Sequence, residues 1–105
     1  MNYNQRFSAE ELYAIRNQIP LRNLMQTFEI HTKIIEGYWR FVCPICGDMN
    51  TAINPNTNLG RCFRCQKNFN TIDIAMITRH SSFRQAVMLL REIRGAIHLH
   101  QTERK

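Results

Sequence analysis

"VCPICGD", residues 42–48, and "RCFRCQK", residues 61–67, hold the four cysteines of this chain, Cys43, Cys46, Cys62 and Cys65. The spacing is C-x2-C-x15-C-x2-C. Two thiolates two residues apart can grip one ion from a tight turn, and a second such turn completes the tetrahedron of a closed, structural zinc site. Pro44 and Gly47 supply turn geometry to the first knuckle. After the second, Asn68 is the residue expected to take a left-handed conformation. A thioredoxin-like redox site needs a single such pair opening a helix in a βαβ setting, a context these flanks lack. A catalytic zinc uses three protein ligands and keeps one position open, whereas four cysteines close the shell. An iron–sulfur cluster takes the same four thiolates and stays as the alternative to one structural Zn2+.

Charge counting extends the reading. Four thiolates and Zn2+ sum to −2, and Arg61, Arg64 and Lys67 flank the second knuckle where cations would offset that charge. Metal binding in small zinc peptides is worth about 10–16 kcal/mol, more than the stability of a typical domain. A chain of 105 residues is one domain with a modest core, so such a staple would matter here.

The composition narrows the class. The net charge is +6, from 14 Lys+Arg against 8 Asp+Glu, a balance suited to a polyanionic partner. Apolar runs are no longer than "AVMLL" at 86–90, far short of a membrane span. "MNYNQRFSAEEL" carries no apolar core of a secretory signal, which points to the cytoplasm. A reducing cytoplasm disfavours disulfides between these cysteines.

Outward from the knuckles the pattern predicts a small α+β fold. "YWRFV" (38–42), "TAIN" (51–54) and "GRCF" (60–63) read as short strands, the last two divided by the turn-rich "NPNTNLG". They make a zinc ribbon, a three- to four-stranded antiparallel sheet, flanked by helices on both sequence sides. Before it, Ser8 caps a helix reaching Asn17, with Glu10 and Glu11 in its first turn. Pro20 then restarts the chain into "LRNLMQTF". After the ribbon, Asn70 and Asp73 open a helix that buries Ile74, Met76 and Ile77. Ser82 and Gln85 stand in capping-box spacing ahead of a further helix. Its stripe of Phe83, Ala86, Val87, Leu90 and Ile93 is core-facing, and Gly95 is expected to end it. The resulting division is a helical extension over 1–18, a ribbon domain over 19–95 and a flexible basic tail over 96–105.

Taken in order, "YWRFVCPICGD", "TAINPNTNLGRCFRCQ" and "NTIDIAMITRHSSFRQAVMLL", preceded by "IPLRNLMQTFEIHTK", resemble the CHC2-type zinc-binding domain of bacterial and phage DNA primases. The likeness spans about residues 19–94. Its more specific parts are the Cys-Phe-x-Cys knuckle and the two helices that follow. This sequence departs from the family in having Cys46 where many members have histidine, and "QKNFN" where a glycine-rich turn is common. The primase catalytic regions, which follow this domain in the family, are not in the chain. The resemblance implies a non-catalytic module that binds single-stranded template DNA on its ribbon face. It would work in trans with a DNA polymerase, primase or helicase in replication of a phage, plasmid or mobile element.

Single-stranded recognition needs cations along the phosphates and aromatic faces for stacking. The candidate nucleic-acid-binding residues are Tyr38, Arg40, Arg61, Phe63, Arg64 and Lys67. Trp39 and Phe41 alternate with Tyr38 and Arg40 and are expected to face the core. Asn54 and Asn56 either read base edges or shape the turn. Arg84, Arg91 and Arg94 read as a solvated face of the last helix, and His98 and His100 as at most a weak surface metal pair. No clustered carboxylates, nucleophile–base pair or phosphate-cradling glycine loop suggests an enzyme. The competing class is a protein–protein adaptor that docks a replication partner through the ribbon and the basic last helix.

Overall fold

The computed structural model describes residues 7–103, with side-chain environments through Ile97. Helices α1 (Ala9–Asn17) and α2 (Leu21–Thr27) come first. Five strands follow, β1 (Thr32–Ile35), β2 (Tyr38–Phe41), β3 (Thr51–Asn54), β4 (Leu59–Cys62) and β5 (Lys67–Phe69). Helices α3 (Thr71–Arg79) and α4 (Phe83–Glu103) close the fold. The strands make one antiparallel meander in the order β1-β2-β3-β4-β5. The α+β architecture is therefore as the sequence predicts, with more strands. β1 is joined to β2 through Glu36 and Gly37, both at positive φ, the conformation of a two-residue hairpin turn whose twist suits the strands. β5 grows out of the second knuckle.

The capping signals at the helix starts work as expected. Ser8 Oγ accepts the Glu11 N–H at 3.0 Å. Asn70 and Asp73 form a reciprocal capping box at 2.8 and 2.9 Å, and so do Ser82 and Gln85. Gly95 does not stop α4, which continues to Glu103. A glycine inside a helix costs about 1 kcal/mol relative to alanine but imposes no stop, and no proline follows. Residues 104–105 of the expected tail lie outside the described residues, as do the side chains of His98 and His100. Among the described residues no helix is long and apolar enough to cross a membrane.

Strand alternation gives the sheet two unlike faces. Phe41, Thr51, Ile53, Gly60, Cys62 and Phe69 point to one side and are buried. They meet Ile15, Leu24, Met25, Ile74, Val87 and Leu90 from the helices in a single core. Trp39 packs half-buried at its edge, under the Arg22 guanidinium 4.2 Å from the ring centroid, so the Trp39–Phe41 pair is inward as expected. α1 belongs to the same core through Ile15, and Glu11 ties it to α4 by a two-point ion pair with Arg91 at 2.7 and 3.1 Å. The opposite face carries Tyr38, Arg40, Ala52, Asn54 and Arg61. Among the described residues, none from a helix lines the trough these residues border.

Candidate metal centre and the open sheet face

The two knuckles are built alike. In the first, the Gly47 N–H donates to the Cys43 carbonyl at 2.9 Å; in the second, the Gln66 N–H donates to the Cys62 carbonyl at 2.7 Å. The residue after the second cysteine of each pair turns left-handed, Gly47 at φ 79° and Gln66 at φ 58°. Gln66, not Asn68, therefore takes the strained position. Asn68 lies in β5 opposite Arg61. The turn places the backbone N–H groups of Ile45 and Cys46 at 3.4 and 3.5 Å from Cys43 Sγ, and that of Cys65 at 3.3 Å from Cys62 Sγ.

These turns bring all four sulfurs within 4.8 Å of one another. Cys43 and Cys65 are 3.8 Å apart and Cys46 and Cys62 3.6 Å. A tetrahedron with metal–sulfur bonds of about 2.3 Å has sulfur–sulfur edges of about 3.8 Å, so the donor set fits one four-coordinate ion. Cys43 and Cys62 are buried, while Cys46 is exposed.

Proton affinities reflect the crowding of four sulfurs. Burial opposes ionisation of Cys62, but the Cys65 N–H and the Cys46 and Cys43 thiols outweigh it and bring the group down to about 6. Burial first, then three neighbouring sulfurs, pushes Cys65 up to about 12. Of these two thiols, Cys62 is the more readily ionised. Thr51 supports it from the facing strand, as its partner in register. The Thr51 hydroxyl is buried and makes no hydrogen bond among the described residues, and its proximity adds the smallest of the contributions that lower Cys62. Nothing in "TAIN" marked this threonine for the centre; the signal was its register with a ligand, which requires the strand pairing. Arg64 reaches back to Asp48 at 3.9 Å while mostly exposed, and such a pair is worth little.

The sequence-predicted contact residues divide between two places. Tyr38, Arg40, Arg61 and Phe63 border one trough of about 310 Å3 on the open face, with Ala52 and Asn54. Arg40, Ala52 and Arg61 are cross-strand neighbours on β2, β3 and β4, so a methyl group lies between two arginines and leaves a depression. β2 and β3 pair only at Arg40–Ala52 and Phe41–Thr51, which lets the strands part towards Tyr38 and Asn54. Tyr38 and Phe63 are 54 % and 61 % exposed, enough ring surface for a ligand to stack on. Lys67 and Arg64 are not part of the trough. Lys67 is in register with Cys62 and shares its side of the sheet. Of the helix cations, Arg91 is held by Glu11 and Arg94 by Gln18 at 2.9 Å.

A scan against protein-family models finds no match to this chain. Searches of curated proteins and of solved structures find none either.

Proposed function

We propose that the protein is a non-catalytic, primase-type zinc-ribbon module that binds single-stranded DNA on the open face of its sheet. On this reading the four cysteines hold one structural zinc, whose closed thiolate shell has no position for substrate. The observation that carries the reading is the trough itself. It combines two exposed aromatic rings, an arginine with no ion pair among the described residues and a small-residue floor, beside four converging cysteines, in a chain of net charge +6. Stacking on exposed rings is worth about 1–3 kcal/mol per base, and cations along the strand add a salt-dependent term. Without polymerase chemistry of its own, such a module would present template to a polymerase, primase or helicase in replication of a mobile element. The adaptor reading through the last helix has less to support it, because Arg91 is engaged by Glu11 within the chain.

The test is binding of zinc-loaded protein to a labelled mixed-sequence single strand across a salt series, beside an Arg61→Ala/Phe63→Ala variant. Affinity that falls with salt, and falls further in the variant, supports the proposal. A folded, metal-loaded protein that fails to bind at low salt refutes it and favours the adaptor. Elemental analysis should give about one zinc per chain.

A further inference from the structure

Resting on the reading of the four cysteines as one metal centre, we infer that the Thr51 hydroxyl donates a hydrogen bond to the Cys62 thiolate when an ion is held, and so positions that ligand. The residue type is not what packing alone would choose. Thr51 is fully buried in β3, in register with Phe41 of β2 on one side and Cys62 of β4 on the other. Valine would fill the same space without burying a polar group. A buried hydroxyl that lacks a partner is destabilising, and the Thr51 hydroxyl has none among the described residues. The methyl branch is accounted for. Its Cγ2 lies 3.5 Å from the point where a Cβ on Gly60 would stand, a point that the Phe41 ring also crowds. The hydroxyl is the branch that packing leaves unexplained.

The matching shortfall is on a sulfur. In the first knuckle Cys43 Sγ has two backbone donors, the N–H groups of Ile45 and Cys46 at 3.4 and 3.5 Å. In the second, Cys62 Sγ has one among the described residues, the Cys65 N–H at 3.3 Å. The sulfur that is one donor short is therefore the one opposite the unpartnered hydroxyl. Thr51 stands near enough to aid ionisation of Cys62, as the least of the contributions there. A ligating cysteine is a thiolate, and hydrogen bonds to an ionised acceptor are about twice as strong as those to a neutral one. The ion thus makes Cys62 the acceptor that the hydroxyl lacks. Hydrogen bonds of this kind orient the ligands that they touch and tune the hold on the metal.

The test is the zinc affinity of the full chain, measured by competition with a chelator, beside Thr51→Val and Thr51→Ser. Valine keeps both branches without the hydroxyl, and serine keeps the hydroxyl without the methyl. Thr51→Val should bind zinc about tenfold more weakly, the lower end for loss of a hydrogen bond to a metal ligand, and Thr51→Ser should stay close to the parent. Cobalt in place of zinc reports on the bond itself. A hydrogen bond lowers the energy of the sulfur lone pairs that feed the thiolate-to-cobalt absorption. Thr51→Val should therefore move that band to longer wavelength, and Thr51→Ser should not. An unchanged zinc affinity or an unmoved band in Thr51→Val overturns the inference. So does an equal loss in Thr51→Ser, the sign of a packing role. A parent chain that holds neither ion refutes the metal reading itself, and this inference with it.

Discussion

Asn58 sits in the β3–β4 turn, yet it fastens two other parts of the molecule. It is 8 % exposed and left-handed at φ 56°. Its Oδ1 accepts the Leu21 N–H at 3.0 Å, and its Nδ2 donates to the carbonyls of Arg16 and Ile19 at 2.7 and 2.8 Å. The N-terminus of α2 has no side-chain cap of its own, because Pro20 occupies that position; Asn58 caps it from 37 residues away. Asn58→Ala removes three hydrogen bonds of about 1 kcal/mol each. It also strands the buried Leu21 N–H and adds about 1 kcal/mol for a left-handed alanine. The loss of folding stability should be about 4 kcal/mol, read by urea unfolding of the zinc-loaded protein. Asn58→Gly loses the same bonds without the strain, and should be the milder change by about 1 kcal/mol. An Asn58→Ala protein within about 1 kcal/mol of the parent would show that water replaces the clamp, and would refute the reasoning.

Four shorter predictions follow. A methyl group on Gly60 would lie 2.7 and 2.8 Å from two ring carbons of the fully buried Phe41, so Gly60→Ala should cost about 2 kcal/mol, read as a lower urea midpoint at unchanged slope. Gln66→Gly relieves the left-handed strain that Gly47 avoids in the other knuckle and should stabilise by about 0.5–1 kcal/mol, checked by the same unfolding. With Cys62 held down at about 6, metal binding at pH 7.5 displaces no proton from it. Below that value it must, so calorimetry in buffers of different ionisation enthalpy should find about one more proton released per metal at pH 5. Removing the metal with a strong chelator should abolish single-strand binding, and stoichiometric zinc should restore it. A chelated protein that binds as well as the loaded one would separate the trough from the metal.

What could be read in advance was whatever the chain states locally. The knuckle spacing named all four cysteines that the fold brings together, and the three side-chain caps at Ser8, Asn70 and Ser82 mark helix starts where they were expected. The strand alternation separated inward Phe41 from outward Tyr38 and Arg40. Strand β1 was missed because "TKII" is short and exposed, with Ile34 62 % accessible; its signal was the Glu36–Gly37 turn before the aromatic strand. Gly95 misled because a glycine permits a helix end without requiring one. Asn58 and Thr51 were out of reach for another reason. Their roles depend on which distant residues stand opposite them, Leu21 for one and Cys62 for the other, and no local pattern encodes that.

Strand β4 links the two halves of the proposal. Cys62 points inward to the metal centre while its neighbours Arg61 and Phe63 border the trough outside. β4 is held between β3 and β5, and its last residue, the fully buried Cys62, leads straight into the second knuckle. An ion held by the four cysteines would pin Cys62 from one side, and with it the adjoining arginine and ring on the other. The same holds for β3, where Thr51 faces Cys62 and the next residue, Ala52, is the trough floor. The metal on this account contributes no chemistry to binding. It would keep the spacing between the arginine and the rings constant, as a preorganised binding surface requires.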